Sequence, residues 1–407
     1  MTPEAPARPP APDPVLRRAR LAVTAIFLIN GITFASWFPH IPVVKARLGL
    51  SEGVLGFVLL AMALGAILAF PLAGWLIARL GSRAVTGAAG IGFCAALPLP
   101  ILAPDPPFLA LALALFGACN GAMDVAMNAQ GLAVENRYPR PIMSSLHGLF
   151  SVGALVGASL AGAAMSVGLS PAAHAFGIAV PMLAAMLLAM GFMLPRGADA
   201  VSGGPTFARP TGALVGLGLL AFLALVAEGA VADWSAVYLY ESLGTEAGMA
   251  AAGFAAFSLT MAIGRFTGDA LVRRFSGVGL LRASATLASL GLALALLAGH
   301  PALAVAGFAC VGLGMSNIVP ILFRAAGRVP GVPSGIGIAA VATAGYFGFL
   351  AGPPAIGLAA EAVTLPVALG LAVLATALIA ALAHVSRRDG AGEPVAGAAR
   401  PATQASA

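Results

Sequence analysis

The chain has 407 residues, of which 60% are hydrophobic and only 9% charged, with a mean hydropathy of +0.98. A water-soluble domain carries about 25% charged residues because its surface must face water, so this composition excludes one. Apolar runs near the ~20 residues that a helix needs to cross a bilayer recur throughout, whereas the short alternating segments of a β-barrel are absent.

The formal charge of +6 does not point to nucleic acid, because the arginines punctuate the ends of apolar runs instead of forming a patch. Cys94, Cys119 and Cys310 all fall within apolar segments, which argues against a disulfide framework. The 51 glycines and 30 prolines also lie largely in apolar runs, where small residues allow close helix packing.

Met1 to about Pro14 is rich in Pro and Ala and is expected to be disordered. Arg17, Arg18 and Arg20 then precede the first apolar run, as in an uncleaved signal anchor. The hydrophobic pattern predicts helices at about 20–39, 53–78, 84–103, 107–134, 142–167 and 173–194. Six more are predicted at about 212–240, 248–272, 278–299, 302–325, 334–358 and 366–385. The expected organisation is an N-terminal tail (1–19), a six-helix half (20–194), a linker (195–211), a second half (212–385) and a C-terminal tail (386–407).

Arg79/Arg83, Arg137/Arg140, Arg196/Arg209, Arg273/Arg274/Arg282, Arg324/Arg328 and Arg387/Arg388 all fall on the side of the N-terminus. Only Lys45 and Arg47 fall opposite, in the first loop on that side. The positive-inside rule then predicts cytoplasmic termini and linker, which an even helix count requires. Lys45 is the only lysine, an arginine bias that suggests a bacterial chain and hence the inner membrane.

The two halves repeat. Gly153-x3-Gly157-x4-Gly162 in the fifth predicted helix matches Gly348-x3-Gly352-x4-Gly357 in the eleventh. Phe116, Cys119 and Met123 have counterparts in Phe308, Cys310 and Met315, and Gly56-Phe57 in Gly253-Phe254. Asn30-Gly31 with Trp37 is likewise matched by Glu228-Gly229 with Trp234. All offsets lie near half the chain, so the fold class expected is all-α and integral to the membrane, with twelve transmembrane helices in two pseudo-symmetric bundles.

This organisation resembles the major facilitator superfamily (MFS). Gly74-Trp-Leu-Ile-Ala-Arg79-Leu-Gly81-Ser-Arg83 is similar to its Gly-x3-Asp-Arg-x-Gly-x-Arg loop motif, with Ala78 in place of the acid. Gly264-Arg-Phe-Thr-Gly268-Asp269 running to Arg273-Arg274 resembles the second copy. Met123-Asp124-Val-Ala-Met-Asn128 is similar to the Leu-Glu-x3-Asn stretch of the fucose permease group of proton symporters. Arg140 to Gly148 and Ala227-Glu228-Gly-x3-Asp233-Trp234 resemble a bacterial branch related to those permeases. Where the fucose permeases carry an acid in the first helix, this chain has Ser36 and Trp37. The resemblance implies alternating access without a cofactor, driven by an ion gradient or by the substrate's own gradient.

Ionisable residues within a bilayer are costly and usually face a cavity or a partner. Asn120, Asp124 and Asn128 recur every fourth residue and share one helix face. Desolvation favours the neutral form of a carboxyl, which suits Asp124 to carrying a proton, though neighbouring amides and hydroxyls would also satisfy it. Glu228 reads as a second protonatable group, a substrate ligand or an interhelical hydrogen-bonding residue. Asn30, Asn317 and Tyr346 at mid-depth are candidates for a central site or for packing, as are Trp37 and Trp234, which also suit an interfacial belt. His147 is a candidate proton relay or structural donor.

Arg79, Arg83, Glu135, Arg265, Asp269 and Arg324 fall at or near the predicted cytoplasmic helix ends. They read as an inner gate of ion pairs, or as topology-setting charge, with Arg265 and Asp269 one turn apart. No H-E-x-x-H, no G-x-x-x-x-G-K-[ST] and no Cys/His cluster with metal spacing occurs, so neither an enzyme, a metal site nor ATP-driven transport is expected. The expected activity is proton-coupled transport of a small polar solute by a monomer, or proton-antiport export of amphipathic compounds.

Overall fold

The computed structural model describes residues 13–138, 142–197 and 212–386, apart from the side chains of Asp269, Arg273 and Ser334. The expected disorder at 1–12 and 387–407, most of the linker, and Arg140, Arg209, Arg387 and Arg388 lie outside the described residues. Among the described residues, twelve helices are long and apolar enough to cross a membrane. The first six are α1 (Pro14–Leu48), α2 (Glu52–Leu80), α3 (Ser82–Ile101), α4 (Pro106–Glu135), α5 (Met143–Ser166) and α6 (Pro171–Met190). The others are α7 (Gly212–Ser242), α8 (Ala247–Gly268), α9 (Gly277–Leu297), α10 (Pro301–Ala326), α11 (Gly335–Ala362) and α12 (Leu365–Ser386).

Short polar side chains satisfy the amides left open at the helix starts. Asp13 accepts from the amide of Val15 at 3.1 Å, Ser51 from Val54 at 3.3 Å and Asp105 from Phe108 at 2.8 Å. Proline stands in the first turn of α1, α4, α6 and α10, where its missing N–H costs nothing. With Asp13 as cap, α1 begins before the expected residue 20, and Arg17, Arg18 and Arg20 lie inside it.

Prolines also set three breaks that periodicity did not show. The main part of α1 ends at Ala35, and Pro39 and Pro42 lead through a 3-10 turn into Ile41–Leu48. Lys45 and Arg47, expected in a loop, therefore sit on a helical extension that Gly49 ends at φ 62°. Arg47 donates to the carbonyls of Ile101 and Ala103 at 2.9 Å each, a cation at the end of α3. The main part of α3 ends at Ala96 before Pro98 and Pro100, and α10 is interrupted at Ser316–Asn317. In α10 the ring of Pro320 opposes the carbonyl four residues earlier, which disfavours a continuous helix.

The same pairing pattern occurs in both halves. In the first half α1 packs on α5 and α6, α2 on α4, and α3 on α4 and α6. In the second, α7 packs on α11 and α12, α8 on α10, and α9 on α10 and α12. The halves meet through α5 with α8 and α2 with α11, two contacts related by the same pseudo-twofold.

The repeated glycines have a packing reason. A Cβ on Gly153 would meet the α1 backbone at Ile32 N at 3.0 Å, and one on Gly348 would meet the α7 backbone at Val226 N at 3.0 Å. The third glycine of each run faces the other half: Gly162 approaches Ala251 and Gly357 approaches Gly56. One motif thus builds both a bundle and the seam between bundles.

Gln130, buried in α4, donates to Ser82 Oγ at 2.9 Å and to the carbonyl of Leu194 at 3.1 Å. It ties the start of α3 to the segment after α6. Gln130→Leu is expected to cost about 1–3 kcal/mol, because the bonds are lost and their partners stay buried. A lowered melting temperature in detergent checks it.

Candidate functional site

A cavity of about 660 Å³ lies between the halves, in the range typical of small-molecule sites. Its first-half wall includes Asn30, Phe34 and Phe38 of α1, Asn120, Asp124 and Asn128 of α4, and His147 and Ser151 of α5. Opposite stand Glu228 and Asp233 of α7, Phe254 and Arg265 of α8, Asn317 and Arg324 of α10, and Tyr346 and Phe349 of α11.

Two centres organise the polar atoms. In the first, Tyr346 OH donates to Asp124 Oδ2 at 3.1 Å, and Asn128 Nδ2 donates to Asp124 Oδ1 at 3.0 Å and to its carbonyl at 2.8 Å. One carboxylate thereby holds a residue of its own helix and a hydroxyl of the other half. Beside it, Asn30 Nδ2 donates to Asn120 Oδ1 at 3.0 Å and approaches Met123 Sδ at 3.3 Å. The four-residue spacing of Asn120, Asp124 and Asn128 explains why one face of α4 presents all three.

The second centre is Arg265, whose Nη1 donates to Ser151 Oγ at 2.8 Å, again from one half to the other. Ser151 in turn donates to the carbonyl of His147 at 3.3 Å. The His147 ring packs edge-on against Phe27 at 5.3 Å, and Asn317 donates to Gly264 O and Ser316 Oγ.

On the side away from the termini the two halves approach each other. Phe38 and Phe254 approach at 4.8 Å across the two halves. Further out, Lys45 Nζ lies 2.7 Å from Glu241 of α7 and 3.3 Å from Glu52 of α2. Gly56 meets Pro353 and Pro354 of α11 closely enough that an added Cβ would lie 2.6 Å from Pro353 O. Toward the other side the lining continues to Met143, Ser144, Phe323 and Arg324. The halves are therefore sealed at the Lys45 end.

Several sequence expectations meet a different geometry. Trp37 and Trp234 are buried in the core and do not line the cavity, so they act as packing instead of stacking surfaces. Trp37 stands beside Phe38, toward the sealed end. Arg265 does not stand at a helix end, because the helix continues past the membrane-spanning stretch of α8 as far as Arg274, which leaves it roughly 13 Å inside. Its guanidinium faces the cavity and Ser151, and the side chain of Asp269 lies outside those described.

Of the other gate candidates, Arg324 lines the cavity, and Arg79, Arg83 and Glu135 make contacts within their own half. Arg79 stacks over Trp75 at 4.2 Å, and Arg83 reaches the carbonyl of Met193 at 3.5 Å. Glu135 accepts from the amides of Ile142 and Met143 at 2.6 and 2.8 Å, an anion at the start of α5. The ion pairs found among the described residues lie at the opposite end, on Lys45. The sequence reading missed Ser151, although it shares a face of α5 with His147 four residues earlier. It also missed the pairing of Lys45, whose two acids lie 7 and 196 residues away.

Residues 23–353 match the Major Facilitator Superfamily. An uncharacterized MFS-type transporter of Yersinia pestis is 40% identical over 362 residues, covering 89% of this chain and 94% of the relative. The crystal structure of the nucleoside transporter NupG superposes with a TM-score of 0.73 at 12% identity, covering 91% of this chain and 100% of NupG. The fucose:proton symporter FucP of E. coli gives 0.61 at 18% identity, over 90% and 98% of the chains. These matches, the twelve spans and the cavity between two repeated bundles agree. The chain belongs to the Major Facilitator Superfamily and is a multi-pass membrane transporter, not an enzyme.

Proposed function

We propose that the protein is a proton-coupled secondary transporter of a small polar solute, working by rocking of its two halves about the central cavity. The observation that carries this reading is the Tyr346–Asp124–Asn128 contact. A proton on Asp124 removes the charge that Tyr346 donates to across the halves, so protonation and the half-to-half contact are linked. That a fold neighbour is a fucose:proton symporter agrees with protons as the coupled ion. With both termini cytoplasmic in a bacterial inner membrane, as the arginine distribution favours, the sealed Lys45 end is external and the conformation inward-facing.

Vesicles of purified protein loaded with a pH-sensitive dye test it. A transported solute is expected to carry protons with it, and transport without any proton movement would overturn the reading. The aromatic lining at Phe34, Phe254 and Phe349 favours a second reading, export of amphipathic compounds by proton antiport. In the same vesicles that activity moves protons against the direction of the solute.

The Lys45–Glu241–Glu52 contact supports a role in holding the external side closed. Lys45→Ala is expected to weaken that state by about 1 kcal/mol, roughly fivefold in population. Labelling of Ser258→Cys, a cavity position, by an impermeant maleimide from that side should rise accordingly, in a background without Cys94, Cys119 and Cys310.

A further inference from the structure

Glu228 and Arg265 sit on adjacent helices of one half and line the same cavity. Among the described residues they form no ion pair within 4 Å, and Glu228 accepts no hydrogen bond. Arg265 commits one nitrogen to Ser151, which leaves most of its donors for the cavity. Asp124 differs, since both of its oxygens already accept from the protein. A charge withdrawn from bulk water is costly unless it is paired. Two opposite charges open to one cavity, and too far apart to pair directly, are what a ligand bearing both charges would complete.

We propose that the transported solute is zwitterionic, with its cationic group on Glu228, its anionic group on Arg265 and its apolar body against Phe254 and Phe257. This rests on the transporter reading above and assigns Glu228 to the solute, leaving Asp124 to the proton. A solute with only a cationic group would leave Arg265 unmatched, and one with only an anionic group would leave Glu228 unmatched. The site discriminates by the partner each would leave bare.

The test is binding to purified full-length protein in detergent, with no gradient. The probes are the linear ω-amino acids from glycine to 6-aminohexanoate, beside the amine and the carboxylate of matching length. At least one zwitterion is expected to bind tenfold or more tighter than both of its singly charged halves. Glu228→Gln should remove that advantage while keeping the affinity for the carboxylate, and Arg265→Gln should remove it while keeping the affinity for the amine. If no zwitterion in the series binds, or the halves bind as tightly, or either variant leaves the advantage intact, the assignment is wrong. The comparison of probes on the unaltered protein stands even if a variant fails to fold. Binding without a gradient is independent of coupling. Solute-driven proton flux without a zwitterion advantage overturns only this assignment, and a zwitterion advantage in a protein that moves no protons overturns only the coupling.

Discussion

Asp124→Asn is expected to abolish accumulation of solute against its gradient while leaving exchange of solute across the membrane in place. A membrane potential of 100 mV is worth about 2.3 kcal/mol per charge, and about 1.4 kcal/mol is tenfold, so one coupled proton supports roughly 50-fold accumulation. With asparagine the ratio should fall to about one. The substitution conserves size; its single amide oxygen can accept from Tyr346, and Asn128 keeps its bond to the carbonyl of residue 124 while losing the one to Oδ1. What is lost is the ability to bind a proton at the point where α4 of one half meets α11 of the other. Uptake and counterflow in vesicles separate the two effects. Accumulation that persists in Asp124→Asn would remove Asp124 from the coupling path.

The second large effect is expected at Gly56. In this conformation α2 and α11 approach so closely there that a Cβ would lie 2.6 Å from Pro353 O and 3.1 Å from Pro354 Cα. Gly56→Leu therefore overpacks the sealed state, at a cost of about 1–3 kcal/mol, while a state open at the Lys45 end has no such clash. Labelling of Ser258→Cys from that side should rise by roughly 5- to 100-fold. Gly153 provides the contrast. Its close contact is with α1 of its own half, which rocking would not relieve. Gly153→Leu should depress the melting temperature and the yield of folded protein, without opening the Lys45 side. Equal labelling in Gly56→Leu and the parent would show that this seam does not move.

Much of the site was legible at Asp124. A carboxylate amid apolar residues, flanked by amides at helical spacing, can serve only one face, and the structure turns that face to the cavity. Asn30, Asn120 and Tyr346 reach the same space. Trp37 and Trp234 did not follow, since amphipathic rings suit an interface, a cavity wall or a core equally well until their neighbours are known. Arg265 was grouped with the cytoplasmic charges although the predicted helix already ran seven residues past it, and only the fold shows that its guanidinium faces the cavity and Ser151.

The sequence by itself determined the solvent, the number of spans and the repeat, because the bilayer imposes length and apolarity on each helix separately and a duplication repeats its spacing. Only the tertiary structure decided which acids are satisfied and which are open, and which end of the cavity is sealed. Those facts depend on contacts such as Asp124 with Tyr346, 222 residues apart, and Lys45 with Glu241, 196 apart. No local pattern in the chain encodes a distance between two helices that meet only when the halves close.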